Sequence, residues 1–395
     1  MERKRFLMTP GPTEISARVL RAQVMPAIEP GDLSFVQVMD ETSELLRKMF
    51  QTKNNVVFFP GSGRVTIESA LASVIEPGDK MLVLVNGVFS KWMKETGERL
   101  GAQIVELNTD WRYAFDPSQV ERKLQQEKDV KVVGIVHNET STGLRNPVAE
   151  IGKIVKKHGA LYLVDAVSSF GGDDVRTDEW NIDLNCTGSY KCLNAPPGLS
   201  IVSISPDAWK VMEKRKRMSS SFSFDLFKWL QMWIPKEKGG KLIWGYRRHP
   251  IEPAPTLTYA LNEAVKEILE EGMQKRFMKN AVAGRAMRAG VQALDLELYP
   301  KEEKYASNTV TAIMNPDKIA NKDILETMRD KYGVIAGGGL EETFAKVIRL
   351  AHMSVTSQPM YVLQTIWALG STLRGLGVEA NTDKAVEQTR EALLR

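Results

Sequence analysis

Between residues 54 and 205 the chain alternates short apolar runs rich in β-branched residues with longer segments whose apolar positions recur every three or four residues. The short runs predict seven strands: "NVVFFP", "KMLVLVNG", "QIVELN", "VKVVGIVHNE", "ALYLVDAV", "LNCTGSYK" and "LSIVSIS". The segments between them, among them "GRVTIESALASVI", "SKWMKETGERLG", "DPSQVERKLQQE" and "PVAEIGKIVKKHG", predict amphipathic helices. Strands alternating with helices imply an open, mostly parallel α/β sheet with right-handed crossovers. In such a sheet ligands gather where the strands end.

From about residue 271 the pattern changes. A long polar helix, "EGMQKRFMKNAVAGRAMRAGVQALDL", is followed by the strand "TVTAIMN", the helix "NKDILETMRDKYG", the strands "VIAGGG" and "KVIRLAHM", and a terminal helix from about 358, which together read as a smaller α+β unit. The connecting stretch "SSSFSFDLFKWLQMWIPKEKGGKLIWGYRRHPIEPAP" is rich in aromatics and prolines. Its Trp229 and Trp233 fall at helical spacing, which reads first as packing and second as a partner-facing interface. There is no internal repeat and no low-complexity stretch.

Composition narrows the class. A chain of 395 residues with 53 basic and 49 acidic side chains carries a net charge of only +4. That is no field for nucleic acid or an anionic membrane, and the one dense basic run, "MEKRKR" at 212–217, reads as a solvated helix end. The basic start "MERKR" lacks an apolar segment behind it, no run is long enough to span a bilayer, and the tail "REALLR" carries no sorting signal, so a cytoplasmic protein is expected. Cys186 and Cys192 read as small buried hydrophobes in a reducing compartment.

Candidate chemistry sits at the predicted strand ends. Lys191, in "TGSYKCLNAPPG", lies between an interior strand and a proline-glycine turn. A lysine there either reaches solvent or, desolvated, becomes a nucleophile for carbonyl carbon. Asp165 closes the preceding strand, as a turn residue or as a carboxylate that keeps a pyridine nitrogen protonated. "GSGR" at 61–64 opens a helix, as a plain turn or as an anion cup with Arg64 beside it. It lacks the third glycine of a dinucleotide fingerprint, because Thr66 stands there, and is too short for a Walker A loop. Phe89 is either core or a plate for a flat ring. Arg349, inside an apolar strand, requires an acceptor: an internal carboxylate or that of a substrate. His137 has no second ligand at metal spacing and reads as a satisfied strand-end histidine, so no metal site is expected.

The succession "GSGR", "NGVF", "HNETSTG", "LVDAVSSFGG", "GSYKCLNAPPG" and "VIRLAHM" resembles the class V aminotransferases, specifically the alanine/serine–glyoxylate group among fold-type I pyridoxal phosphate enzymes, over nearly the whole chain. The resemblance implies a seven-stranded, mostly parallel large domain at 21–270 that binds pyridoxal 5′-phosphate, a small α+β domain at 271–395, and residues 1–20 closing over the site. It implies that Lys191 carries the cofactor as an aldimine and shuttles the proton in a ping-pong transamination from alanine or serine to glyoxylate or pyruvate. Asp165 would pair with the ring nitrogen, Phe89 would stack on the ring, and Thr140 would contact the cofactor. Ser62, Gly63, Arg64 and Tyr190 would surround its phosphate, Arg349 and Gly11 would hold the substrate carboxylate, and a homodimer would complete each site.

Two positions depart from the family pattern. Tyr190 replaces a usual glutamine before the lysine, and Glu252, in "RRHPIEPAP", stands where relatives lend a threonine to the partner's phosphate. The chain is also similar to pyridoxamine–pyruvate aminotransferase, although Ser62 replaces the acidic residue and Leu340 the extra arginine of that type. Its N-terminal half is similar to ureidoglycine–glyoxylate aminotransferase. A cysteine desulfurase is disfavoured because "AGGGLEETFAK" has no cysteine and Phe89 replaces a histidine. The absent glycine fingerprint counts against a nicotinamide dehydrogenase, and a non-catalytic binding protein has no need of Lys191, Asp165 and Arg349 together.

Overall fold

The computed structural model describes residues 5–26, 28–235, 237–238, 241–242, 247–317 and 319–395. After β1 (Phe6–Met8) come β2 (Asn55–Pro60), β3 (Lys80–Val85), β4 (Gln103–Asn108) and β5 (Val130–Val136). A small hairpin of β6 (Asn138–Glu139) and β7 (Leu144–Arg145) precedes β8 (Leu161–Asp165), β9 (Leu184–Gly188) and β10 (Leu199–Ile204). β11 (Glu237–Lys238) and β12 (Lys241–Leu242) form a second hairpin, and β13 (Val310–Met314), β14 (Val334–Gly338) and β15 (Val347–Ala351) complete the set.

The expected sheet forms, in the order β2-β10-β9-β8-β5-β3-β4, with β10 alone running against its neighbours. Every residue of β8, β9 and β10 is buried, as both faces of a helix-covered sheet require. The polar alternation of "QIVELN" has a plain cause, since β4 is the edge strand with three of its six residues exposed. A second sheet has the order β1-β14-β15-β13, with β1 parallel to β14 and Phe6 opposite Val334. Residues 6–8 of the N-terminal segment therefore hydrogen-bond in the smaller sheet. Two hydrophobic cores follow the two sheets, one running from Val19 to Ile268 and one joining Met8 to side chains between Ala283 and Ala385.

Some predicted elements are shorter than their apolar runs. "VKVVGIVHNE" stops at Val136, because His137 N–H turns to Asp165 O (2.9 Å) and the next residues enter the small hairpin. "LNCTGSYK" ends at Gly188, where Ser189 Oγ donates to Pro196 O (2.6 Å) and closes a loop. Several helices lie outside the segments read from the pattern, among them Leu33–Phe50 and Pro255–Glu271, which Asn262 Nδ2 ties together by donating to Thr42 Oγ1 (2.9 Å). Gly272 separates the second of them from the polar helix Met273–Ala293. Trp229 and Trp233 are packing residues: both are buried, against Phe59 and His249. Residues 236, 239–240 and 243–246 of the same stretch, and the first four of the chain, lie outside the described residues.

One buried cation joins the helical layer to the loop after β9. Arg276 Nε donates to Gly171 O (3.0 Å), Nη2 to Cys192 O (2.9 Å) and Asn194 Oδ1 (2.6 Å), and Nη1 to Glu271 Oε2 (2.6 Å). Removing the guanidinium leaves Gly171 O and Asn194 Oδ1 without their donor while Glu271 keeps Lys279, at a cost of about 1–3 kcal/mol. Arg276→Ala is expected to lower unfolding stability by that amount in urea titration, and a loss below about 1 kcal/mol would refute the bracing role.

Candidate active site

A cavity of about 290 Å³ opens where the strands of the large sheet end. β2 delivers Gly63 and Arg64 to it, β3 Phe89, β5 Asn138 and Thr140, β8 Asp165 and β9 Tyr190 and Lys191, while Arg349 comes from β15 of the smaller sheet. Nine of the ten residues singled out from the sequence line it, Gly11 included; Ser62 does not. Ser62 is the N-cap of helix Gly63–Val74, makes no side-chain cap, and accepts Ser200 Oγ on its carbonyl (2.8 Å). Glu252 is exposed and outside the lining.

The loop that carries Lys191 is fastened from several sides. Asn194, in left-handed backbone at φ 53°, donates its amide to Thr13 Oγ1 (3.0 Å) and Glu14 O (3.0 Å). Thr13 Oγ1 donates to Lys191 O (2.8 Å) and Ser354 Oγ to Cys192 O (2.9 Å). Lys191 Nζ donates to Pro10 O. Gly11 is a glycine for two reasons: its φ is +123°, and a Cβ there would fall 2.5 Å from Nζ. Burial pushes the Lys191 amine down to about 8, with Arg349 and Arg64 adding to the effect while Cys192 and Asp165 oppose it. Lys191 is half-buried, in the wall of the cavity.

Asp165 ends β8 opposite Cys186 of β9, and accepts Val167 N–H on Oδ1 (2.8 Å). Burial pushes its carboxyl up to about 7 against that hydrogen bond, and Glu139 adds to the rise. Arg349 is buried, and no carboxylate pairs with it among the described residues, which removes the internal salt bridge as its explanation. Its Nε donates to Gly338 O (2.7 Å) and its Nη1 to Thr140 O (3.4 Å), and burial brings it down to about 10. Phe89, in the first turn of helix Val88–Arg99, meets Trp92 edge to face at 5.2 Å, and the Arg64 guanidinium lies 4.5 Å over the Trp92 ring. Tyr190 departs from the family pattern in a definite way: its hydroxyl accepts Gly63 N–H (3.2 Å) at the start of a helix whose own N-cap residue, Ser62, makes no cap.

The neighbours read as structural are structural. His137 is buried with Nδ1 2.9 Å from Ser169 Oγ, and burial lowers it to about 4, so the ring is neutral. Cys186 and Cys192 are free and buried, and burial raises both thiols, Cys192 to about 12. No helix among the described residues is long and apolar enough to cross a membrane. Sequence reasoning missed Pro10, Val136, Asn138, Val167 and Ser168 in the cavity wall. Asn138 was within reach, lying one residue after His137 in "HNETSTG", where its Nδ2 donates to Ser168 Oγ (2.8 Å) and Thr309 Oγ1 (2.9 Å).

The rise at Asp165 fixes a sign. The unfolded carboxyl holds its proton only to about 4 and the folded one to about 7, so folding is penalised increasingly as pH rises between these values and fully above them. Asp165→Asn is expected to raise the melting temperature of the cofactor-free protein at pH 8, by an increment that shrinks toward zero near pH 4. A pH-independent increment in thermal scans would contradict the assignment.

Comparison with known proteins agrees with this geometry. The family model "Aminotransferase class-V" matches residues 19–240. In sequence the chain is 36% identical to an uncharacterized aminotransferase of Methanocaldococcus jannaschii, over 99% of this chain and 98% of that one. It is 30% identical to the pyridoxamine–pyruvate transaminase of Mesorhizobium japonicum (96% and 94%) and 32% to the serine–glyoxylate aminotransferase of Methylorubrum extorquens (89% and 86%). Among solved structures, the ureidoglycine–glyoxylate aminotransferase of Bacillus subtilis superposes with a TM-score of 0.93 at 32% identity, covering 100% of this chain and 99% of that one.

Proposed function

Because the chain belongs to the class V aminotransferase family of pyridoxal-phosphate-dependent enzymes, we propose that it moves the amino group of a small amino acid, alanine or serine, to glyoxylate or pyruvate. The observation that carries this reading is the buried Lys191 amine, brought down to about 8, in one cavity with Asp165 and Arg349.

The residues present fit the cofactor. Three cations, Arg64, Lys191 and Arg349, share the cavity with one carboxylate, Asp165, which suits a ligand set with two anionic ends. Arg64 and Gly63, at the start of helix Gly63–Val74, with Ser62 behind them and the Tyr190 hydroxyl beside them, would hold the phosphate. Asp165 would pair with the ring nitrogen, Phe89 would cover the ring, and Thr140 would contact its edge. When bound, pyridoxal phosphate supplies an aldehyde that condenses with amines and a ring that takes up the electron pair left as an adjacent C–H bond breaks.

The chain's own groups then divide the work. Brought down to about 8, the Lys191 amine gives up its proton more readily than an exposed lysine, and a neutral amine is the form that attacks a carbonyl carbon. With cofactor and substrate bound, the same Nζ would be the base that takes up and moves the proton lost from the substrate Cα. Arg349, its Nε fixed on Gly338 O, presents its planar fork to the substrate carboxylate, with Gly11 closing on the other side. Leu340 adds an apolar wall to the cavity. The keto acid product leaves before the acceptor enters, and the steps reverse. The reading includes a homodimer, with the exposed apolar side chains of Leu20, Val24, Met25 and Leu33 available for a second copy to cover.

One observation favours a second reading. The Tyr190 hydroxyl already takes Gly63 N–H, one of the amides a phosphate would use, and the pyridoxamine–pyruvate relative acts on a substrate named without phosphate. A panel of alanine, serine, ureidoglycine and pyridoxamine against glyoxylate and pyruvate, with and without added pyridoxal phosphate, separates the two. Turnover of pyridoxamine alone, without the cofactor, selects the second.

Borohydride reduction of the holoprotein is expected to leave a pyridoxyl mass on the peptide containing Lys191, and Lys191→Ala to lower kcat by at least about 10³-fold. A colourless protein with no reducible lysine sinks the reading. Arg349→Ala is expected to raise KM for carboxylate substrates about 10- to 100-fold, the worth of one charge-assisted fork, with a smaller change in kcat. Steady-state kinetics showing an unchanged KM would remove Arg349 from the substrate site.

A further inference from the structure

Glu139 is a wholly buried carboxylate to which the chemistry above gives no task. Its Oε2 accepts Ser90 N–H (3.0 Å) and Ser90 Oγ (3.3 Å), and its Oε1 accepts Ser141 N–H (3.1 Å) and Ser141 Oγ (2.5 Å). Ser141 Oγ, having given its proton to Glu139, accepts Val88 N–H (2.9 Å). Ser90 Oγ also accepts Asn86 N–H (3.1 Å) and lies 2.9 Å from Gly87 O. The first and third residues of helix Val88–Arg99 are thus held by the β6–β7 hairpin through one acidic group, and the residue between them is Phe89.

The helix has no cap of its own, since Gly87 stands at the N-cap, and a negative charge at a helix start is favourable. Gly87 is needed for closeness: a Cβ there would fall 2.2 Å from Glu139 Cγ. On the other side, the carbonyl of the next residue, Thr140, accepts from Arg349, and the residue before, Asn138, lines the cavity. Burial raises the proton affinity of Glu139, the penalty of keeping a carboxyl out of water. Packing alone would be served by an apolar side chain without that penalty. What a carboxylate adds here is a set of directed bonds across the joint between the Phe89 wall and the hairpin that carries Thr140.

We propose that Glu139 is a positioning residue that fixes the first turn of helix Val88–Arg99 so that Phe89 meets the cofactor ring at a set height and tilt. The proposal rests on the aminotransferase reading and involves no contact between Glu139 and substrate. Glu139→Gln preserves shape but turns an NH2 toward donors. It is tested on the full-length protein by titrating apoprotein with pyridoxal phosphate and recording affinity and the visible circular dichroism of the bound chromophore.

The expected result is a Kd about three- to tenfold higher, the worth of one aromatic contact, with an altered dichroic band and a fall in kcat larger than the change in KM for the keto acid. In a Phe89→Leu background the same substitution is expected to change Kd less than about twofold, because the contact it positions is already gone. An unchanged Kd and band, or an equal penalty with and without Phe89, overturns the proposal and leaves Glu139 a fold-stabilising group. Should Glu139→Gln not fold, Ser141→Ala breaks the link to Val88 and enters the same cycle with the same criteria. Failure of the wild-type protein to bind the cofactor would overturn the aminotransferase reading itself, whereas a variant indistinguishable from a cofactor-binding wild type overturns only the role of Glu139.

Discussion

Desolvation of a single amine is the constraint on which the site depends. Lys191 is useful as a nucleophile only if it loses its proton near neutrality, and burial, helped by Arg349 and Arg64, brings it toward that range. Burial in turn demands that the loop after β9 be immobile without help from solvent, which is why it is fastened by Thr13, Asn194, Arg276 and Ser354 and not by one anchor. The parallel sheet serves the same end. It brings five strand termini to one rim, so that every group facing the amine arrives on a short segment leaving a rigid strand.

The charges around that amine are arranged against the stability of the empty protein. Asp165 and Glu139 are both buried carboxyls with raised proton affinity, and each is held by neutral N–H or O–H donors. Arg349 is bound to backbone carbonyls, which orient a guanidinium without neutralising it. Such groups are costly in an empty site, and the anion and pyridine nitrogen of the proposed ligands would recover part of that cost by meeting charges the fold has already stripped of water.

Much of this was legible in the sequence because the period of a strand is short and its end is marked. The runs before "GSGR", "NGVF", "HNETSTG" and "VDAVSS" announce both the sheet and the rim, and the residues picked from them line one cavity, with Ser62 as the exception. Ser62 failed for a local reason: as N-cap in extended backbone it turns its carbonyl to Ser200, and the glycine and arginine after it meet the cavity instead. Pro10 was invisible because it acts through a carbonyl oxygen, which every residue has. Glu139 was overlooked for the opposite reason. It sits in a quoted motif, but its partner Ser90 is about fifty residues away, and no spacing along the chain reports a contact made by packing two strand ends side by side.

The small parallel pairing of β1 with β14 has a mechanical meaning. Three residues beyond Met8 the chain has left the smaller sheet and lies against Lys191, with Pro10 O on its amine and Thr13 on its backbone. The same smaller sheet holds Arg349. Residues 6–13 therefore form a short link between the layer that holds Arg349 and the loop that carries Lys191. A shift of that layer would pull on the Pro10 carbonyl to which the amine donates.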